Sequence, residues 1–183
     1  MSEKPKILNR KIVAQSRLFK IEALDLEFSN GATRRYERLV RGSGSNGAVL
    51  IIPMLDNETV LLIREYSGGV DRYELGLAKG KIDKGEGVLQ AANRELKEEV
   101  GYGAHTIQKI GSFSIAPSYM EHMTEIILAE DLYPEKLPGD EPEELQVVPW
   151  KLDNLTELVN NGQCTEARSI AALYMVRDYL QQR

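Results

Sequence analysis

The chain has 183 residues, 42% of them hydrophobic and 28% charged: enough apolar surface for one folded domain with an added arm, and too much for a disordered chain. Its formal net charge is −5, and its one cysteine, Cys164, excludes an intrachain disulfide. The opening MSEKPKILNRK lacks the apolar core of a signal peptide, and no stretch approaches the roughly 18 apolar residues of a membrane span. A membrane partner is therefore not expected, and the cytoplasm is the expected location.

The charge is unevenly spread. Residues 1–41 carry ten basic and five acidic side chains, whereas residues 130–144 carry seven acidic and one basic. An acidity so local asks for a local cause.

In chain order, residues 7–41 alternate in the manner of strands. Phe19, Ile21, Leu24, Leu26 and Phe28 lead to Ser29-Asn30-Gly31, and Thr33–Leu39 resumes the run, so a β-hairpin is predicted about the Asn-Gly pair. Arg41–Gly47 reads as a linker. Two dense apolar runs, Ala48–Leu55 and Val60–Tyr66, are predicted buried strands, and Arg72–Ala78 a weaker third. The period then changes: Leu89, Ala92, Leu96 and Val100 recur at helical spacing and Gly101 caps the end. Residues 105–116 and 124–130 return to strand character, a proline-punctuated acidic loop fills 133–144, and Leu145–Trp150 is a last strand. Leu152–Asn160 and Glu166–Gln182 read as helices. Strands before and after a central helix predict an α/β sandwich with a mixed sheet.

The central helix has a chemical anomaly. At about 100° per residue, Glu95, Glu98 and Glu99 crowd within roughly one turn beside the apolar stripe. Like charges at i,i+4, such as Glu95 and Glu99, destabilise a helix by a few tenths of a kcal/mol. A plain solvated face, offset by Arg94 and Lys97, is one explanation. The other is a site for a hard divalent cation, which converts mutual repulsion into shared attraction.

The flanks favour the second. The segment GKIDKGEGVLQAANRELKEEVGY (80–102) resembles the Nudix box, with Gly80, Glu86, Arg94, Glu95, Leu96, Glu98, Glu99 and Gly101 in register and Tyr102 where an aliphatic residue is usual. The likeness extends to the ADP-ribose pyrophosphatase branch of the Nudix hydrolases through DLEFSNG (25–31), IREY (63–66), YELGLAKG (73–80), APSY (116–119) and DLYPEKLPGDEPE (131–143). It implies an α/β/α sandwich with an N-terminal β-hairpin arm: residues 1–45 as the arm, a dimerisation element, and 46–183 as the Nudix domain with its box at 80–102. It implies Mg²⁺-dependent (or Mn²⁺-dependent) hydrolysis of the diphosphate linkage in ADP-X compounds such as ADP-ribose, NADH and diadenosine di- or triphosphate, releasing AMP.

By the same resemblance Glu95, Glu98 and Glu99 ligate the metal, the Lys79 carbonyl adds a backbone ligand, and Glu86 and Arg94 orient that shell. On the acidic loop the candidates are Glu141, Glu143 and Glu144, with Glu141 ranked first to activate water and Glu143 first as a further ligand. Arg64, Arg38 and Arg72 are candidates to grip the diphosphate, because a planar guanidinium suits paired oxygens. Tyr119 and Phe28 are candidates to stack the adenine. The chain departs from the branch at Glu65-Tyr66-Ser67, where Gln-aromatic-Arg is frequent, and at Pro117-Ser118-Tyr119, where Pro-Gly-Phe is frequent. The expected partners are a small-molecule nucleotide and a second copy of the chain. Nucleic acid is not expected, since no basic, aromatic-interleaved groove is evident. Two rival functions are an RNA-end decapping hydrolase and a catalytically silent Nudix domain that senses a nucleotide.

Overall fold

The apolar run Ala48–Pro53 becomes β4, whose side chains point alternately to opposite faces, and both faces are buried. Leu50, Ile52 and Met54 enter one core; Val49 and Ile51 enter another. β5 (Thr59–Ser67) and β9 (Met123–Pro134) divide their side chains in the same way: Val60, Leu62, Ile126 and Leu128 go to the first core, and Leu61, Ile63, Ile127 and Ala129 to the second. Helix α1 (Val88–Glu95) closes the second core with Ala91 and Ala92, while α2 (Leu155–Asn160) and α3 (Ala167–Gln181) close the first with Leu155, Leu158, Ala172, Leu173 and Val176. The result is the expected α/β sandwich.

The computed structural model describes residues 3–40 and 47–183. The linker expected at Arg41–Gly47 lies, apart from Gly47, outside the described residues, as does the expected boundary at 45/46. The chain divides into two compact units, Met1–Ser45 with Ser114–Met123, and Asn46–Phe113 with Thr124–Arg183.

In the first unit, the hairpin about Asn30-Gly31 is present as β2 (Lys20–Glu27) against β3 (Thr33–Val40), in the register Glu27↔Thr33 through Lys20↔Val40. Gly31 turns there with φ +79°, a conformation that costs a Cβ-bearing residue. The strand character expected over 7–41 extends through β1 (Lys6–Gln15), which pairs antiparallel with β2 and gives the order β1-β2-β3. β1 is exposed throughout, so burial periodicity gave no signal for it.

The second unit has two sheets where one was expected. The antiparallel sheet β10-β5-β6 comprises β5, β6 (Arg72–Gly76) and β10 (Gln146–Lys151). The mixed sheet β7-β4-β9-β8 comprises β4, β9, β7 (Lys79–Lys81) and β8 (Tyr102–Ser114), with β4 parallel to β9. The adjacent runs of β4 and β5 thus enter different sheets, with an isolated Met54–Val60 bridge between them. Their turn is held by Asp56, which accepts from the amides of Glu58 and Thr59 at 2.8 and 2.7 Å. The single strand expected over 72–78 breaks into β6 and the short β7, because Ala78 already gives its carbonyl to the Ile51 amide (2.8 Å) on β4. The closing helix begins one residue later than expected because Glu166 is its cap. Its Oε2 accepts from the Ser169 amide and hydroxyl, and its Oε1 from the Arg168 amide and Nε. Ser169 Oγ in turn accepts from the Leu77 amide (3.1 Å), tying α3 to the segment that leads into β7.

Burial would raise the Glu166 carboxyl, but Arg168 and the helix amides outweigh it and hold it below its ordinary 4.5. A depressed folded value stabilises the protein above 4.5 and loses that contribution as pH falls through the folded value. Glu166→Ala is expected to lower stability by about 1–2 kcal/mol at neutral pH. Urea unfolding followed from pH 7 to pH 3 should show the gap to wild type shrinking toward the acid end; a pH-independent gap would contradict the cap.

Candidate active site

Arg94, in the last turn of α1, organises the carboxylates. Its Nε donates to Glu86 (2.9 Å), its Nη1 to Glu95 and Glu98 (both 2.9 Å), and its Nη2 to Glu86 (3.1 Å) and the Lys81 carbonyl (3.0 Å). A guanidinium has five N–H donors, and all five are engaged. These contacts raise the arginine's affinity for its proton, the bond to Glu86 foremost, and the same bond holds the Glu86 carboxyl below its ordinary value. Glu86 also accepts from the Asp83 amide (3.1 Å), fixing the loop before the helix.

The helix does not continue as an α-helix to Gly101. Leu96–Val100 is a π-helical turn closed by the Gly101 amide on the Leu96 carbonyl at 3.2 Å, with Gly101 at φ +81°. The wider turn changes the phase beyond Glu95, so a uniform 100° step does not describe where Glu98 and Glu99 point. Glu98 meets Arg94, whereas Glu99 is 5% exposed and accepts from the Lys79 amide at 3.0 Å. Burial pushes the Glu99 carboxyl up to about 8, with the Lys79 amide and ammonium opposing and Glu95 and Glu65 reinforcing. Burial likewise raises Glu95, against Arg94.

Gly80 explains how Glu95 fits. A Cβ at this glycine would collide with the Glu95 carboxylate. On β7 the pairing alternates. Ala78 bonds Ile51, so the next residue, Lys79 opposite Leu50, turns its amide and carbonyl away from β4. Its amide is the one that bonds Glu99.

Glu95, Glu98 and Glu99 line a cleft of about 720 Å³, with Glu65, Lys79, Gly80, Asp83 and Arg94 around them and Asp140 and Glu141 of the acidic loop opposite. The loop is held by Lys136 Nζ on the Glu98 carbonyl (2.7 Å) and by the Leu137 amide on the Lys97 carbonyl (3.2 Å). Among the described residues no group of three or more His, Cys, Asp and Glu side chains converges closely enough to hold an ion as it stands, because these carboxylates are turned to Arg94 and the Lys79 amide. The donor set nonetheless suits a hard divalent cation. It offers oxygens only, and two buried carboxylates carry a cost that a cation would remove.

Other expected residues lie elsewhere. Glu143 does not line this cleft; it accepts from the Tyr73 hydroxyl at 2.6 Å and borders a neighbouring hollow of about 580 Å³ that Glu98 and Glu141 also line. Arg64 precedes Glu65 on β5, so strand alternation sends it to the other face, where it donates to Gln163 (3.4 Å). Arg72 is committed to Glu74 (2.6 Å) and Thr165 (3.1 Å). Arg38, Phe28 and Tyr119 belong to the first unit. There Arg38 pairs with Glu22 (2.8 Å) and Glu121 (3.5 Å), Phe28 packs near Tyr36 at 6.5 Å, and Tyr119 gives its carbonyl to the Leu39 amide. The cation that does line the cleft beside Glu99 is the Lys79 ammonium, bonded to Glu65 at 2.5 Å. Only the carbonyl of that residue was expected to matter. Its two-residue alternation with Lys81 along β7 was the available signal.

A family model described as the NUDIX domain matches residues 44–173. The chain belongs to the Nudix hydrolase family. A second model, the NudE-type Nudix hydrolase N-terminal domain, matches residues 5–38. This Nudix hydrolase is 50% identical over 178 residues to the ADP compounds hydrolase NudE of Escherichia coli K12, covering 97% of this chain and 94% of that one. It is 29% identical over 175 residues to the ADP-ribose pyrophosphatase of Bacillus subtilis 168, covering 92% of each. A crystal structure of an ADP compounds hydrolase superposes with TM-score 0.90 at 49% identity, covering 100% of this chain and 97% of that one. The chain is accordingly a Nudix pyrophosphohydrolase, and no helix among its described residues is long and apolar enough to cross a membrane.

Gly80→Ala tests the close approach. The atoms in the way are the far end of a side chain, so the fold should survive and the site should not. Near-wild-type circular dichroism with a fall in turnover of about a hundredfold is expected. Retained turnover would contradict the placement of Glu95.

Proposed function

We propose that this chain hydrolyses the diphosphate linkage of ADP-X compounds, taking ADP-ribose, NADH and diadenosine di- or triphosphate and releasing AMP with phospho-X. The observation that carries this is a single cleft lined by Glu95, Glu98 and Glu99 on one wall and Glu141 on the other. The names of two similar proteins, an ADP compounds hydrolase and an ADP-ribose pyrophosphatase, support the ADP-X class. Glu95, Glu99 and Glu98 would hold Mg²⁺, or Mn²⁺ in its place, with the outward-turned Lys79 carbonyl as a further ligand. When bound, the ion neutralises diphosphate charge and lowers the pKa of a coordinated water. Arg94 and Glu86 keep the carboxylates in place. Glu141 is the base that takes the proton from the attacking water, and Glu143 is the reserve carboxylate of the same loop. Water adds to one phosphorus, the bridging oxygen leaves with the other phosphoryl group, and the proton passes to Glu141. Arg64, Arg38 and Arg72 remain proposals for substrate contact only if their present partners are exchanged, and Tyr119 and Phe28 for adenine.

Residues 1–45 are proposed as a dimerisation arm ahead of the catalytic domain. Supporting this, Ile7, Leu8, Ile12 and Val13 are 41–50% exposed on β1, an edge strand whose apolar side chains are not buried by the described residues. The buried free thiol of Cys164 agrees with a cytoplasmic setting.

Two measurements test the reading. Glu98→Gln and Glu99→Gln should each lose at least about a hundredfold in kcat on ADP-ribose and NADH under saturating Mg²⁺. Near-wild-type turnover of either variant sinks the assignment, and tight binding of ADP-ribose by the wild type with no AMP formed would favour a sensor. Light scattering should give twice the 20.6 kDa chain mass; a monomer at micromolar concentration removes the dimer.

A further inference from the structure

The cleft presents an anionic diphosphate with a wall of carboxylates and three basic side chains, Lys79, Lys81 and Arg94. Arg94 has nothing left to give, since its five donors serve Glu86, Glu95, Glu98 and the Lys81 carbonyl. Lys81 is exposed at the rim. Lys79 is half-buried, and its ammonium is held by the Glu65 carboxylate on β5. An ammonium has three donors, and Glu65 engages it at a side chain that is itself 38% exposed. The main chain of the same residue bonds Glu99, which fixes the root of the side chain at the centre of the site.

We propose that the Lys79 ammonium is the substrate-binding cation of this cleft, held on Glu65 until a diphosphate arrives and then donating to its non-bridging oxygens. This rests on the reading of the cleft as a diphosphate site. An ammonium suits this task better than a guanidinium. It is a compact point charge on a flexible stem and can leave one oxygen for another without a fixed fork geometry. Arg64 and Arg72, by contrast, are engaged by Gln163 and Glu74 and do not line the cleft.

The test uses the full-length protein, an ADP-ribose analogue with a methylene bridge in place of the diphosphate oxygen, and Lys79→Met, which keeps the amide on Glu99 and the outward carbonyl. Calorimetry with Mg²⁺ present should show the analogue bound about ten- to a hundredfold more weakly by Lys79→Met, the loss expected for one charge-assisted hydrogen bond. Lys79→Arg should recover part of it. Adenosine, which has no phosphate, should bind both proteins alike. Mn²⁺ binding, followed by loss of the free-ion EPR signal, should not weaken in Lys79→Met; damage to the carboxylate wall would weaken it. Analogue binding within twofold of wild type, a larger loss in Lys81→Met than in Lys79→Met, or no binding of the analogue by wild type at millimolar concentration would each overturn the proposal. Wild type that binds the analogue yet forms no AMP from ADP-ribose or NADH would leave Lys79 as the grip and remove the proposed reaction.

Discussion

Everything at the site depends on one guanidinium. Glu86, Glu95 and Glu98 are brought within reach of one another by Arg94, whose donors are exhausted in doing so. Without it, a helix bearing three glutamates over five positions would splay them into solvent, since mutual repulsion is relieved by separation. With it, the carboxylates are fixed, the Asp83–Glu86 loop is tied to the helix, and β7 is joined to α1 through the Lys81 carbonyl. A saturated arginine has a structural role here. Positive charge for a ligand has to come from elsewhere.

The second constraint is the closeness of β7 to α1. Gly80 lets the Glu95 carboxylate lie where a side chain would otherwise stand, and Lys79 gives Glu99 a backbone donor. Both carboxylates are thereby buried and made costly to ionise. This cost is the chemical signature of the site: the fold keeps two carboxyl groups away from water, where a divalent cation gains most from meeting them.

Much of this was legible in the sequence. Periodicity identified the buried strands, the central helix and the closing helix, because each hides a continuous apolar face from water. The box residues were legible because eight of them stand in the register of the Nudix pattern that the segment resembles. What escaped has physical causes. β1 has no buried face, so no apolar stripe fixes its pairing with β2. The π-helical turn depends on a single carbonyl's choice of partner, which no hydrophobic pattern encodes. The separation of β4 and β5 into different sheets is a tertiary choice between equally apolar neighbours. Strand alternation, one step from the apolar pattern, turns Arg64 to Gln163 and puts Glu65, and with it the Lys79 ammonium, in the cleft. The residues proposed for substrate from side-chain chemistry alone were the least legible, because a surface arginine's partner is decided by whichever carboxylate stands nearest.

The two-faced strands have a consequence for how the protein opens. β4, β5 and β9 each supply alternate side chains to both cores, so neither core can come apart while the other stays closed. The amides of these strands should therefore become accessible to solvent exchange only when the whole catalytic unit unfolds. The carboxylate wall is rooted in the second of those cores through Ala92, Leu96 and Val100. An enzyme that must hold repelling charges at fixed spacing has thus made their spacing as durable as its global stability, and it leaves breathing motions to the loop and the turns.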